Sequence, residues 1–318
     1  MNRRKAISNL AIGTVGLTSL ELPKISHVMN SSKPVGVQLF TIPKMVGDDF
    51  VGTIKTLADL GYQEVEMFGP YPFSSAKAKQ DFQMMKAMIG LTDHAFFGHT
   101  TEEVVGVLAD HKITCPSFHA DLDSLRNHLD QLLDGVGPFS PKYLVLPALM
   151  EGRDTLDDYR RRAEEFNTLG EKMAAYNIKF AYHNHGYEHA EKEGRIPMDL
   201  LLEETDPTYV DFELDIFWMS AAGADPLTYL TDHPTRFKLL HLKDCSEQFR
   251  FSGSGETMGE WMAGFPLMRD PGDGVLDVNK IVSRAIENGI EHYFLERDVA
   301  PDPAATLSNS YRQLSAML

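Results

Sequence analysis

From Pro34 onward, short apolar runs alternate with longer stretches whose apolar residues recur every three or four positions. The short runs are VGVQLF (35–40), GYQEVEMFG (61–69), KITCPSFHA (112–120), KYLVLPAL (142–149), KFAYHNHGYE (179–188), YVDFEL (209–214), RFKLLHL (236–242) and HYFL (292–295). Runs of this length, rich in β-branched and aromatic residues, predict buried strands. Between them the period changes to that of a helix. Phe50, Ile54, Leu57 and Leu60 make one face of a helix over 48–60, closed by Gly61. Leu156, Tyr159, Ala163, Phe166, Leu169, Met173 and Tyr176 make one face of a long helix over 154–176. Helices are also expected over 76–89, 102–111, 121–133, 197–204, 225–233, 276–287 and 302–317. Residues 70–100 read as an elaborated loop and helix, not as a separate domain.

Strands that alternate with helices pair in parallel. Repeated eight times, with no Pro/Ser-rich linker between the units, the pattern predicts one (β/α)8 barrel over 33–318. The functional site of such a barrel lies at the C-terminal ends of its strands. An open doubly wound sheet fits less well. No GxGxxG follows the first strand, and polar residues recur at many strand ends instead of at one switch point.

Composition adds exclusions. The 318 residues are 43% hydrophobic with a formal net charge of −16. That is ample apolar material for one large core, and the charge repels nucleic-acid backbones. The two cysteines, Cys115 and Cys245, cannot form a disulfide scaffold and lack CxxC spacing. Residues 1–32 read as an export leader: Arg3-Arg4-Lys5 precede the uncharged stretch Ser8–Leu20. The paired arginines resemble a twin-arginine signal, which implies a periplasmic or exported protein. A cytoplasmic leader is the alternative, and the stretch is too short for a membrane span.

The strand ends carry the candidate chemistry. HNHGYE follows FAY, VDFELD ends at Asp215, LLHLKD contains His241, and FLERD contains Glu296. Taken with Glu188, three carboxylates and one imidazole on one barrel rim form a divalent-cation site, since such carboxylates repel one another without a cation. Mn²⁺ fits an oxygen-rich set with one histidine best, and Mg²⁺, Co²⁺, Fe²⁺ and Zn²⁺ are alternatives. Taken alone, Asp215 also reads as a cap for the next turn, and His241 as a satisfied core histidine. His183 and His185 share one side of their strand and are expected to meet substrate. Lys243, His119, Glu66 and Arg297 are further substrate-contact candidates. Phe40, Phe68 and Trp218 are candidates for a sugar-stacking wall. No glycine-rich loop opens a helix to cradle phosphate.

The motifs YHNHGYE, ELDIFW…AAGADP, LLHLKD, GDGVLD and FLERD resemble the xylose-isomerase-like superfamily of metal-dependent TIM barrels. They are similar to its sugar phosphate isomerase/epimerase branch, which includes ketose 3-epimerases, inosose dehydratase and 3-keto-glycoside-processing enzymes. The resemblance implies one divalent metal held by Glu188, Asp215, His241 and Glu296. It also implies that Glu188 and Glu296 act as the acid/base pair. Glu191 and Glu193 share the loop of Glu188. The function implied is a metal-dependent isomerase or epimerase acting on a keto-sugar or 3-keto-glycoside. The alternative is a lyase or dehydratase on a related sugar or cyclitol, because both reactions begin by removing the proton beside a carbonyl. A phosphodiesterase and a non-catalytic sugar-binding barrel fit less well. The partner expected is a small carbohydrate, with a homodimer allowed and nucleic acid excluded.

Overall fold

A computed structural model describes residues 33–91 and 95–318. The leader expected over 1–32 lies outside the described residues. Eight parallel strands close in sequence order into a barrel: β1 (Val35–Gln38), β2 (Glu64–Phe68), β3 (Thr114–His119), β4 (Tyr143–Leu146), β5 (Lys179–His183), β6 (Val210–Asp215), β7 (Phe237–Leu242) and β8 (His292–Leu295). β8 pairs with both β7 and β1, which closes the ring. Helices cover the outside, as the alternating periods require.

Several helix starts are legible in the residues that cap them. Asp49 accepts the backbone N–H of Gly52 at the head of Phe50–Leu60, and Gly61, at φ 105°, ends that helix. Thr155 and Asp158 form a reciprocal capping box at the head of Leu156–Ala174. The segment expected as one helix over 121–133 is two, Leu122–Asn127 and Leu129–Val136. Short additional pieces include the helices Pro43–Asp48, Ile216–Ala221 and Met258–Gly264, and a two-stranded ribbon pairing Asp244–Cys245 with Met268–Arg269.

The barrel interior is layered. Tyr143, Val145, Ala181, Leu239 and Phe294 form its apolar middle. Gly36 makes room for the Phe294 ring, which a Cβ there would meet at 2.5 Å. Side chains alternate along a strand, so the residue two beyond an inward apolar one also points inward. Ala181 is followed by His183, Leu239 by His241, and Phe294 by Glu296. That spacing carries the polar strand ends to one layer at the mouth of the barrel. The outward residues pack the main core against the helices; Phe180 and Tyr182 of β5, for instance, stack on Phe166.

Candidate metal centre

Two overlapping groups of buried side chains meet at the strand C-termini. His183, Asp215, His241 and Glu296 bring one ligand atom each to within 4.8 Å of one another. His119, His183, Glu213 and His241 do the same directly beside them. Asp215, His241 and Glu296 are thus brought together as expected from the sequence, and the strand-5 member is His183. Glu188 does not join them. The chain turns at Gly186 (φ 96°) into a short 3-10 turn at Tyr187–His189. This turn sets the Glu188 carboxylate against the outward-facing Tyr182 hydroxyl, which donates to it, as does His185 N at 3.2 Å. Burial raises the Glu188 pKa.

Asp215 is held at two ends. Its Oδ1 accepts from Phe217 N and Trp218 N, both at 2.9 Å, and so caps the next helix. Its backbone is clamped by Asn184, whose Oδ1 accepts from Asp215 N at 2.9 Å and whose Nδ2 donates to Asp215 O at 3.1 Å. The other oxygen, Oδ2, is left for the site. It lies 2.8 Å from Lys243 Nζ and 3.7 Å from His183 Nε2. Lys243 Nζ also lies 2.7 Å from Glu296 and 2.7 Å from Asp298. Burial opposes the charge on Lys243, but Asp215, Asp298 and Glu296 hold its pKa well above the usual value. Burial lifts Asp298 to about 7 despite Lys243.

A second set of carboxylates orients the imidazoles. His183 Nδ1 is 2.9 Å from Glu213, and His241 Nε2 is 2.6 Å from Glu66. His119 Nε2 bridges the two, 2.9 Å from Glu213 and 3.1 Å from Glu66. Gln38 and Ser117 donate to Glu66 at 2.8 and 2.5 Å. Burial works against charge here, yet Glu66 and Glu213 raise His119 to about 9. Burial and Glu66 push Glu213 upward, but His241, His119 and His183 bring it to about 2. Glu66 therefore lies beneath the cluster as a brace. Glu213, Asp298 and Gln38 are members that sequence reasoning missed. For Glu213 the signal was present, because it precedes Asp215 by two in VDFELD and so shares its face.

These residues fit a divalent cation. His183 turns Nδ1 to Glu213 and Nε2 toward Asp215, and His241 turns Nε2 to Glu66 and Nδ1 to Glu296 at 2.7 Å. Each thus has one nitrogen braced by a carboxylate outside the set and the other directed at a member of it, as for a metal-bound imidazole. Asp215 Oδ2 accepts no well-aligned hydrogen bond although fully buried. Ligands about 2.1 Å from a common ion lie within about 4.2 Å of each other, so only slight closure of the 4.8 Å set is required. Asp215 and Glu296 bring two carboxylates to the set, with Lys243 against both.

The other candidates divide. His119, His183 and His185 line a cavity of about 490 Å³ above the cluster, together with Glu296, Asp298, Phe40 and Phe68. His185 is held neutral, burial and then Lys243 lowering it to about 3. Trp218 stands behind, its ring stacked 5.9 Å from His185 and 5.4 Å from Lys243 Nζ. Arg297 turns away to Asp270, at 2.9 Å. A second cavity of about 400 Å³, between Phe217–Pro226 and Cys245–Arg250, shares no residue with the cluster.

The family model of the xylose isomerase-like TIM barrel matches residues 54–310. An inosose dehydratase of Clostridium tetani is 30% identical over 154 residues, covering 47% of this chain and 50% of that protein. The chain thus spans about half the length of the curated relatives it matches. Among solved structures, a sugar phosphate isomerase/epimerase from Parabacteroides distasonis superposes with a TM-score of 0.69 at 21% identity, covering 91% of this chain and 96% of that one. The IolI protein with a bound zinc atom superposes with a TM-score of 0.61 at 13% identity, covering 89% and 96%. With eight parallel strands closed into one barrel and a family match over most of its length, this chain belongs to the xylose isomerase-like TIM-barrel family.

Proposed function

We propose that the protein is a divalent-cation-dependent lyase that removes the proton beside the carbonyl of a cyclic keto-polyol and expels a β-oxygen substituent. The observation that carries this reading is the buried His183–Asp215–His241–Glu296 set at the floor of a cavity. The similarity to inosose dehydratases supports dehydration as the outcome, and the zinc of IolI supports a metal in this type of barrel. The bound cation would polarise the substrate carbonyl. Glu296 and Asp298 face the cavity as proton acceptors, and His119, raised to about 9, as the group able to give a proton to the departing oxygen; His185, held neutral, can only hydrogen-bond the substrate. Lys243 holds the Asp215, Glu296 and Asp298 carboxylates in one place. The C–H bond breaks with its proton passing to a carboxylate. The electron pair forms C=C, and the β C–O bond breaks with oxygen leaving as water.

Epimerisation begins with the same step and is the second reading. It requires a second acid–base group on the far face of the substrate, the role expected of Glu188, whose carboxylate is engaged by Tyr182. This favours the lyase. The metal proposed is Mn²⁺ or Zn²⁺, the two-histidine, two-carboxylate set suiting either. Export through the leader over 1–32 is proposed as the cellular location. The test is incubation of the metal-loaded protein with an inosose in D2O, followed by mass spectrometry and NMR. Loss of one water, with a conjugated ketone formed, is the expected result. Deuterium at the α-carbon without loss of water would move the assignment to the isomerase, and no change in the inosose would overturn both.

A further inference from the structure

The cavity above the cluster has two chemically different ends. Its floor is polar: His119, His183, His185, Glu296 and Asp298. Its outer part carries an apolar patch of Phe40, Phe68, Phe82, Met85, Met150 and Met258, edged by the charged Lys77, Asp81, Asp121, Asp123, Arg126 and Glu151. The rings form one continuous surface, Phe40 edge-on to Phe68 at 5.3 Å and Phe68 tilted against Phe82 at 6.4 Å. Phe82 and Met85 belong to the Ala76–Met88 helix, whose single buried residue is Ala78. Phe82 and Met85, only partly buried, pack against the edge of the core and also line the cavity.

A free cyclic polyol does not suit the aromatic and thioether patch. It carries hydroxyls around its whole edge, and each one pressed against aromatic and thioether surface loses water without gaining a partner. The polyol ring belongs on the floor, among imidazoles and carboxylates. A phosphate does not suit the outer part either. The cations at its rim are already matched, Lys77 to Asp81 and Arg126 to Glu151 and Glu165. An uncharged aromatic group does suit it: rings accept edge-to-face neighbours at the separations seen here, and thioethers adapt to aromatic surfaces of varied shape.

We infer that the outer part of the cavity is a subsite for an uncharged aromatic substituent, so that the substrate class is a cyclic polyol joined to an aromatic aglycone. This rests on the lyase reading only in placing the polyol ring on the floor.

The probes are phenyl β-D-glucopyranoside and methyl β-D-glucopyranoside, with affinities measured on the full chain by calorimetry and ligand-observed NMR. Burying the phenyl ring is expected to favour the phenyl glycoside by about tenfold or more, with saturation transfer strongest at the ring protons. Phe82→Ser and Met85→Ser, both on a solvent-facing helix, are expected to bring the ratio close to one by weakening the phenyl glycoside. A ratio near one in the unaltered protein overturns the subsite. So does a ratio that both variants leave unchanged, or no detectable binding of the phenyl glycoside. The inosose assay separates the two proposals. Turnover without aromatic preference removes the subsite and leaves the lyase; aromatic preference without turnover does the reverse.

Discussion

Asp215 divides its carboxylate between two neighbours, and the division explains why a single-residue reading of it was ambiguous. One oxygen caps a helix and the other faces Lys243 and the cluster of candidate ligands, so the capping reading is realised and the ligand reading keeps an oxygen to itself. His183 and Glu188 are a harder case. Both follow an apolar run and both are buried, but only the residue still in strand register with Ala181 points into the barrel. Glu188 lies beyond a glycine turn, and nothing in a sequence of alternating polar residues announces the direction of that turn. The difference is measurable by elemental analysis of purified protein. Glu188→Gln is expected to keep the same metal content as the unaltered chain, whereas His183→Ala is expected to lose it. Equal loss in both would return Glu188 to the ligand set. Glu213→Gln, which weakens the brace on His183 Nδ1 without removing a ligand, is expected to lower metal affinity by roughly 10–100-fold, read by competition with a chromogenic chelator.

At the scale of elements, the junction of β5 and β6 shows how the site is built into the barrel. The parallel ladder pairs His183 with Glu213, and there it runs out of strand. Asn184 continues it with a side-chain amide, donating to and accepting from the backbone of Asp215 as a further peptide unit would. Asn184→Ala leaves that N–H and C=O buried without these partners, at a cost of about 1–3 kcal/mol. A lower urea midpoint with an unchanged slope is the expected result, and an unchanged midpoint would show that the clamp contributes nothing. The eight strands, their order and most helices were legible because period two and period 3.6 are written into the positions of apolar residues. The Ile216–Ala221 and Met258–Gly264 helices were not. IFWMSA is apolar on every side, so it has no stripe to read, and Met258–Gly264 sits in a Gly- and Ser-rich stretch where a capping box, Thr257 with Glu260, is the main helical signal. The candidate-ligand layer was legible wherever the residue lay on the strand itself; Glu66 and Glu213 could be placed in the inward layer from strand alternation, but their role as braces of the imidazoles became apparent only from distances.

The whole molecule buries histidines of two opposite kinds, and their balance sets its response to pH. His119 is raised to about 9, burial being outweighed by Glu66 and Glu213. Its contribution to stability is complete below the unfolded value near 6.5 and is lost as pH rises through about 9. His189 is the reverse. Burial alone lowers it to about 3, its Nδ1 lies 3.2 Å from the Tyr229 hydroxyl, and its Nε2 has no partner. Folded, it stays neutral; unfolded, it takes a proton below about 6.5. Between those values the unfolded chain binds the extra proton, so stability falls as pH falls from about 6.5 toward 3. Near pH 5 this single residue accounts for about 2 kcal/mol of the loss. His189 lies apart from the cation site, so His189→Gln removes its titration without touching a ligand. Urea unfolding of both proteins at about pH 7 and about pH 5 is expected to show a smaller acid loss in the variant by about that amount. The same acid loss in both would mean that His189 takes up its proton within the folded barrel. In that case His183 and His185, which burial also lowers, would have to carry the acid limb themselves.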